Sequence, residues 1–300
     1  MIATAERPSR VRLYSLLGVM LLMWSANFIF VKLAVREISP ALTVYFRTIL
    51  SGLCMCPIYM AMRRRPDPGT RPWKAADAPR LLAVGAVGVL ANQFLFVVGL
   101  SRTSVAHGSV ITALSPIFVM LGATLIGIEH LTGRKVCGML VAATGVAVLQ
   151  LGRSSSGGAT FAGDLIMIVS TVALAAFTVF GKRIIASFGS VTLNLFAFGG
   201  GALLVLPITA WTIGHADLSH VSAFAWFGVA YMALFSSIAG YTIYAYALRH
   251  LAASRVSSVT YFQPLVATLM AAVFLRESPA PAFAGAAALV LGGVYVAERR

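Results

Sequence analysis

The sequence predicts an all-α integral membrane protein: ten transmembrane helices in two inverted five-helix repeats. Three observations predict it. Hydrophobic residues make up 59% of the 300-residue chain and charged residues 11%, with mean hydropathy +0.88, whereas a soluble domain carries about 25% charged residues. Ten apolar runs each approach the ~20 residues needed to cross roughly 30 Å of hydrocarbon. The second half of the chain also repeats the first. Such a composition cannot dress a water-facing surface, which excludes disorder, collagen, coiled coil, a secreted disulfide scaffold and most soluble enzymes.

The spans are expected at 13–34, 41–62, 80–100, 104–127, 134–151, 161–182, 190–213, 222–247, 256–275 and 281–297. The first follows Arg7, Arg10 and Arg12, as a signal peptide would, but it is too long for a signal h-region and lacks a convincing cleavage site. It reads as a retained anchor. The second ends at the basic loop Arg63-Arg64-Arg65-Pro66-Asp67-Pro68-Gly69. Short loops rich in Pro, Gly and charge divide the rest. The runs are continuous, without the period-2 alternation of a membrane barrel, so helices are expected. Cys54, Cys56 and Cys137 sit in apolar stretches without metal-type spacing and read as buried small hydrophobes. Gly199-Gly200-Gly201 in the seventh span reads as packing or a bend. No strand and no Lys-Ser/Thr accompany it as in a phosphate loop.

The formal charge of +14 raises the question of nucleic acid, and the placement of the cations answers it. With the N-terminus inside, seventeen Lys and Arg fall in the N-tail, the even loops and the C-tail. Five fall opposite: Lys32, Arg36, Arg102, Arg153 and Arg276. The positive-inside bias predicts both termini in the cytoplasm, and the basic balance is then a topology signal with attraction to anionic lipid heads.

At an offset of 148 residues, 99–150 matches 247–298 without gaps, with Leu100/Leu248, Ser109/Ser257, Thr112/Thr260, Pro116/Pro264, Leu121/Leu269, Glu129/Glu277 and Gly145/Gly293 identical. At an offset of 150, Phe30, Lys32 and Pro57 match Phe180, Lys182 and Pro207. Repeats of 1–152 and 153–300 follow. Each holds five spans, an odd number, so the second enters the membrane from the opposite side. Inverted repeats of this kind characterise secondary transporters, whose site lies near the midplane between the halves.

The chain resembles the drug/metabolite transporter superfamily, specifically its EamA type with ten helices in two five-helix repeats. The resemblance is carried by Trp24-Ser25-Ala26-Asn27-Phe28 with Lys32, by Gly163-Asp164 with Phe177 and Lys182, and by Pro116 and Pro264 followed by Glu129 and Glu277. Within the type it is most similar to YddG-type exporters of aromatic amino acids. The resemblance implies a bacterial inner-membrane exporter, multi-pass, working by alternating access on a small-molecule substrate. Proton-coupled small multidrug members use a Glu in the first helix. Nothing acidic lies between Leu13 and Ala34 here, so facilitated export is expected, with His107 keeping coupling open.

The substrate-binding candidates are Trp24, Asn27, Phe28, Asn92, Phe94, His107, Ser115, Phe177, Tyr241, Tyr244, Tyr261 and Gln263. Trp24, Asn27 and Phe28 share a helical face, as do Tyr241 and Tyr244. Amides are costly against lipid and face a bundle interior or cavity, as interhelical glue or as substrate contacts. Aromatic faces suit an apolar or aromatic body, with Tyr and Trp adding a polar tip. Pro116 and Pro264 are the expected hinges, each removing a helix hydrogen bond at membrane depth. Arg47, inside the second span, needs a structural partner, a tilt to the interface or a substrate carboxylate. Lys32 and Lys182 are expected to snorkel, Glu129 and Glu277 to cap loops, and Asp164 to sit on a helix N-terminus.

No cofactor, metal or nucleic acid is expected. The partners are substrate and bilayer, with a monomer favoured. The stripe Ala284, Ala288, Gly292 permits close helix approach, within the monomer or in a dimer. The alternatives are a carrier of drugs, nucleosides or phosphorylated metabolites, and an intramembrane Ser–His enzyme. His107-Gly108-Ser109 is the tempting segment for an enzyme, but neighbouring helical residues point apart and no hydrolase motif accompanies them.

Overall fold

The computed structural model describes residues 8–64, 69–128, 130, 132–151, 160–277 and 282–298. Glu129, Arg153, Arg7, Arg299, Arg300 and residues 65–68 of the basic loop lie outside these. Among the described residues every regular element is helical. In chain order the segments are α1 (Arg10–Ala34), α2 (Pro40–Met62), α3 (Ala75–Ser101), α4 (Val105–Leu125), α5 (Gly133–Leu151), α6 (Phe161–Phe188), α7 (Ser190–Ile213), α8 (Ala223–His250), α9 (Ala253–Phe274) and α10 (Phe283–Glu298). All but α5 and α10 are long and apolar enough to cross a membrane.

Hydroxyl caps set several starts. Ser9, Ser39, Ser104, Thr160 and Ser222 each accept from the backbone N–H three residues on, filling one of the orphan donors of a helix N-terminus. The expected sixth span ends at Lys182, but α6 runs to Phe188, where Gly189 at φ 85° stops it. The cations do not break the helix because carbonyls receive them. Lys182 Nζ donates to Leu248 O at 3.0 Å and also to Leu251 O, and Arg183 donates to Ile126 O at 3.2 Å. Lys182 therefore ties helices together rather than snorkelling.

Hydrogen bonds between segments fix which ends meet. Thr160 donates to Arg102 O, Val105 N to Glu277 Oε2, and Ser222 to the Glu37 carboxylate. These join the ends of α1, α3 and α9 to the starts of α4, α6 and α8, at what is here termed the distal end. At the proximal end Arg71 N donates to Ser187 O and Arg183 reaches Ile126. So α6 starts where α1 finishes and runs antiparallel to it.

Both expected prolines coincide with a change of helix. Helix α4 breaks at Ala113–Leu114 and resumes at Ser115 with Pro116 second, and α9 narrows to a 3₁₀ turn over Ser258–Phe262 before resuming at Gln263 with Pro264 second. Wide π turns interrupt α3 at Ala83–Val87, α7 at Leu195–Gly200 and α8 at Met232–Gly240. Such turns concentrate at functional sites.

Helices α5 and α10 pack through small residues. A Cβ on Gly293 would lie 2.5 Å from Ala142 N and from Gly138 O. The buried residues of α10 here are Ala286, Val290 and Gly293. The expected stripe of Ala284, Ala288 and Gly292 is instead exposed, because the register that brings Gly293 onto α5 turns its neighbour outward. The cysteines also differ from expectation: Cys56 and Cys137 are exposed and Cys54 half-buried. On a lipid-bathed surface an apolar thiol has no need of a core.

Candidate functional site

A narrow cavity of about 50 Å³ lies in the middle of the bundle. It has room for a few water molecules, since one needs roughly 10–15 Å³ by this measure. Side chains from α1, α2, α3, α4, α6, α8 and α9 form its wall.

The face of α1 carrying Trp24, Asn27 and Phe28 turns into it. Trp24 Nε1 donates to Ser236 O at 3.1 Å, and the indole packs 5.5 Å from Tyr241 and 5.3 Å from Tyr244, centre to centre. Phe28 meets Phe96 edge-on at 5.0 Å. Asn92 Nδ2 donates to Ser170 O at 2.9 Å and its Oδ1 accepts from the Tyr241 hydroxyl at 2.9 Å. It thus joins α3, α6 and α8, the interhelical glue of the two expected roles, while also lining the cavity.

Arg47 is 2% exposed and lies two turns into α2. It does not tilt to an interface, and among the described residues it meets no carboxylate. Its Nε donates to Ser237 Oγ at 2.9 Å and an Nη to Ser236 Oγ at 3.2 Å. Gln93 Nε2 reaches the same Ser237 hydroxyl at 3.3 Å. Two neutral hydroxyls orient a guanidinium but leave its charge uncompensated, and burying an unpaired charge costs several kcal/mol. Across the same cavity Asn27 Oδ1 and Gln263 Oε1 are buried acceptors without a hydrogen-bond partner among the described residues. Native structures leave few such atoms, and each calls for an explanation. The site therefore holds a spare cation, spare acceptors and aromatic walls together.

Six of the twelve expected residues line this cavity: Trp24, Asn27, Phe28, Asn92, Tyr241 and Gln263. Phe177 and Tyr244 stand behind the wall. Phe177 packs 5.8 Å from Tyr241, and the Tyr244 hydroxyl bonds Thr178 Oγ1 at 2.7 Å. Phe94 is half-buried in packing. Ser115 and Tyr261 are buried away from the cavity. His107 lies towards the distal end, with Nδ1 3.1 Å from Asp164 Oδ2. Sequence reasoning missed Ser170, Thr171 and Ser236 as lining residues. Their signal was adjacent hydroxyls at membrane depth, Ser170-Thr171 and Ser236-Ser237.

The profile of the EamA-like transporter family matches residues 12–151 and 161–298. A transporter of Archaeoglobus fulgidus, itself uncharacterized, is 28% identical over 95% of this chain and 98% of its own. A protein of Streptantibioticus cattleyicolor named as a probable terminal-alkyne amino-acid exporter is 27% identical over 84% of this chain and 83% of its own. The inner membrane transporter YedA of Escherichia coli K12, also uncharacterized, is 24% identical over 86% and 81%. A solved crystal structure superposes with TM-score 0.69 over 97% of each chain at 22% identity, a likeness of fold. With two matched segments spanning nearly all of a multi-pass helical membrane protein, the chain belongs to the EamA-like transporter family, and its homologues are transporters rather than enzymes.

Proposed function

We propose that this transporter exports amino acids with an aromatic or large apolar body, by alternating access through the central cavity. One observation carries the reading: Arg47, a buried cation without a carboxylate partner among the described residues, lines the same cavity as Asn27 Oδ1 and Gln263 Oε1, acceptors likewise unpartnered among them. A zwitterion supplies both complements. Its carboxylate pairs with the guanidinium, and its ammonium donates to the two amide oxygens. Trp24, Phe28, Phe96 and Tyr241 then take the side chain. The cavity as it stands is too small for such a cargo and must widen to admit one.

In this reading the ten segments are ten spans, 1–152 and 153–300 are inverted repeats, and Pro116 and Pro264 are the hinges. The antiparallel course of α1 and α6 supports the inversion. The distal end faces outward from a bacterial inner membrane, with both termini cytoplasmic, as the positive-inside bias predicts. Export draws support from the Streptantibioticus relative's name. The monomer is the working unit. Phosphorylated cargo fits less well, because Arg47 is the one cation among the described lining residues.

The test is exchange in liposomes loaded with unlabelled phenylalanine, measuring entry of labelled phenylalanine. Phenylalaninamide, which lacks the carboxylate, and N-acetylphenylalanine, which lacks the ammonium, serve as competitors. Exchange competed by tryptophan but by neither analogue supports the reading. Absence of exchange, with the protein correctly inserted, overturns it.

A further inference from the structure

The distal end holds a buried ionisable couple that the cargo site does not use. His107 is the third residue of α4 and Asp164 the fourth of α6, so the two belong to opposite halves of the chain. Their side chains are 6% and 3% exposed, and His107 Nδ1 stands 3.1 Å from Asp164 Oδ2. The other carboxylate oxygen accepts from the Thr103 hydroxyl. Ser104 Oγ accepts from His107 N at 3.1 Å. Each carboxylate oxygen therefore has its own partner, and the imidazole stands on a capped helix start. We propose that His107 and Asp164 form a proton-binding site that clasps the distal mouth and couples cargo export to proton entry.

The charges give the couple its chemistry. With neutral imidazole and ionised carboxylate it carries one negative charge. One proton turns it into an imidazolium–carboxylate pair with no net charge, and the pair is then a charge-assisted bond across the two halves. The charged residues tied to these helix starts are Arg102 between α3 and α4, Glu277 beyond α9 and, facing Glu277, Lys32 of α1 with Arg36 just past the end of that helix. Of these, Glu277 grips the same helix start, accepting from Val105 N at 3.0 Å, and faces Lys32. Protonation thus draws α4 and α6 together where Glu277 already anchors α4, and loss of the proton loosens that contact.

The couple also shares a helix face with the cavity. Asp164 and Thr171 lie seven residues apart on one face of α6, roughly 10 Å at 1.5 Å per residue, and Thr171 lines the cavity. When the proximal end opens, cavity water along this face takes the proton towards the cytoplasm. The deprotonated clasp then lets the loaded transporter open outward. There the cargo leaves and an external proton rebinds, closing the mouth. One proton enters for each amino acid that leaves. A zwitterionic cargo carries no net charge, so each cycle moves one positive charge inward.

This proposal rests on the transport reading, and its experiment separates the two. Phenylalanine movement would be measured in liposomes as exchange at equal pH and as accumulation driven by a pH gradient, for the wild type, His107→Gln and Asp164→Asn. In parallel, hydrogen–deuterium exchange of segments 102–111 and 160–167, corrected for intrinsic rates, would be followed as the pH is varied across neutrality. Wild-type protein should accumulate phenylalanine only with a pH gradient or a membrane potential. Both variants should keep exchange but lose most of the accumulation, and a membrane potential should alter the wild-type rate. The two segments should open as pH rises in wild type and show no such dependence in His107→Gln. Intact exchange with no gradient-driven accumulation in wild type overturns the proposal, as does full accumulation in His107→Gln. If phenylalanine does not move at all, the cargo reading falls and the deuterium arm decides the clasp: pH-independent opening in wild type overturns it. Should Asp164→Asn fail to fold, His107→Gln carries the comparison.

Discussion

Trp24 Nε1 donates to the backbone oxygen of Ser236 at 3.1 Å, while the hydroxyl of the same serine accepts from Arg47. One residue in the π-helical part of α8 thereby holds α1 by its backbone and α2 by its side chain. A widened turn does not stack its carbonyls as tightly as an α-helix, which leaves Ser236 O open to an indole from outside. The aromatic wall of the cavity and its cation are therefore fixed through a single position.

That arrangement depends on Gly240. A Cβ there would lie 2.5 Å from Trp24 Nε1 and 3.1 Å from Trp24 Cδ1. Gly240→Ala should push the indole off Ser236 and destabilise the protein by about 1–3 kcal/mol, the usual range for overpacking. A lower unfolding temperature in detergent and a raised KM for phenylalanine are expected together. If neither changes, the indole is not held as described.

Arg47 distinguishes a cargo contact from a structural one. If the guanidinium receives the cargo carboxylate, Arg47→Gln removes a charged hydrogen bond of about 1.5–3 kcal/mol. The KM for phenylalanine should rise roughly 10- to 150-fold, and phenylalaninamide should become nearly as good a competitor as phenylalanine. Arg47→Lys keeps the charge but not the fork, so it should fall between the two. Competition profiles of the three proteins check this. An unchanged preference for the carboxylate in Arg47→Gln would remove the residue from the site.

Much of this was legible in the sequence, for identifiable reasons. Apolar run length marks a membrane helix, so the segments of the structure lie close to the expected spans. The exception at the end of α6 arose because Lys182 looks like an interface anchor until Leu248 and Leu251 are seen to accept from it. Trp24, Asn27 and Phe28 could be grouped because helical spacing places them on one face. The partner of His107 was not legible, since no periodicity links it to Asp164, 57 residues away. Nor could the sequence say that Gly293 rather than Gly292 meets α5, because adjacent small residues carry the same composition signal and the register is decided by tertiary contact.

Asn27 and Gln263 should behave unlike ordinary buried polar residues. A buried acceptor with a partner contributes to stability, and removing its partner costs about 1–3 kcal/mol. Here Oδ1 and Oε1 have no partner to lose. Asn27→Ala and Gln263→Ala should thus shift the unfolding temperature little, and less than Asn92→Ala, whose amide bonds both Ser170 and Tyr241. Both should nevertheless raise the KM for phenylalanine several-fold. Thermal unfolding and transport on the same preparations give the comparison. A large loss of stability with unchanged KM would mean that these amides serve the fold alone.

The α5–α10 contact offers a test of packing that is independent of cargo. Gly293 and Gly292 are neighbours in sequence but opposite in environment. A Cβ at 293 meets Ala142 N and Gly138 O at 2.5 Å, both backbone atoms that cannot swing aside, whereas at 292 nothing lies within 4 Å. Gly293→Ala should force the two helices apart and lower stability by about 1–3 kcal/mol. Gly292→Ala should be neutral or stabilising by up to about 1 kcal/mol, since it removes backbone freedom from the unfolded chain in a helix. Thermal unfolding of the two variants in one detergent reads the difference directly. Equal effects would mean that α10 packs against α5 in a different register, with the exposed stripe of Ala284, Ala288 and Gly292 turned inward after all.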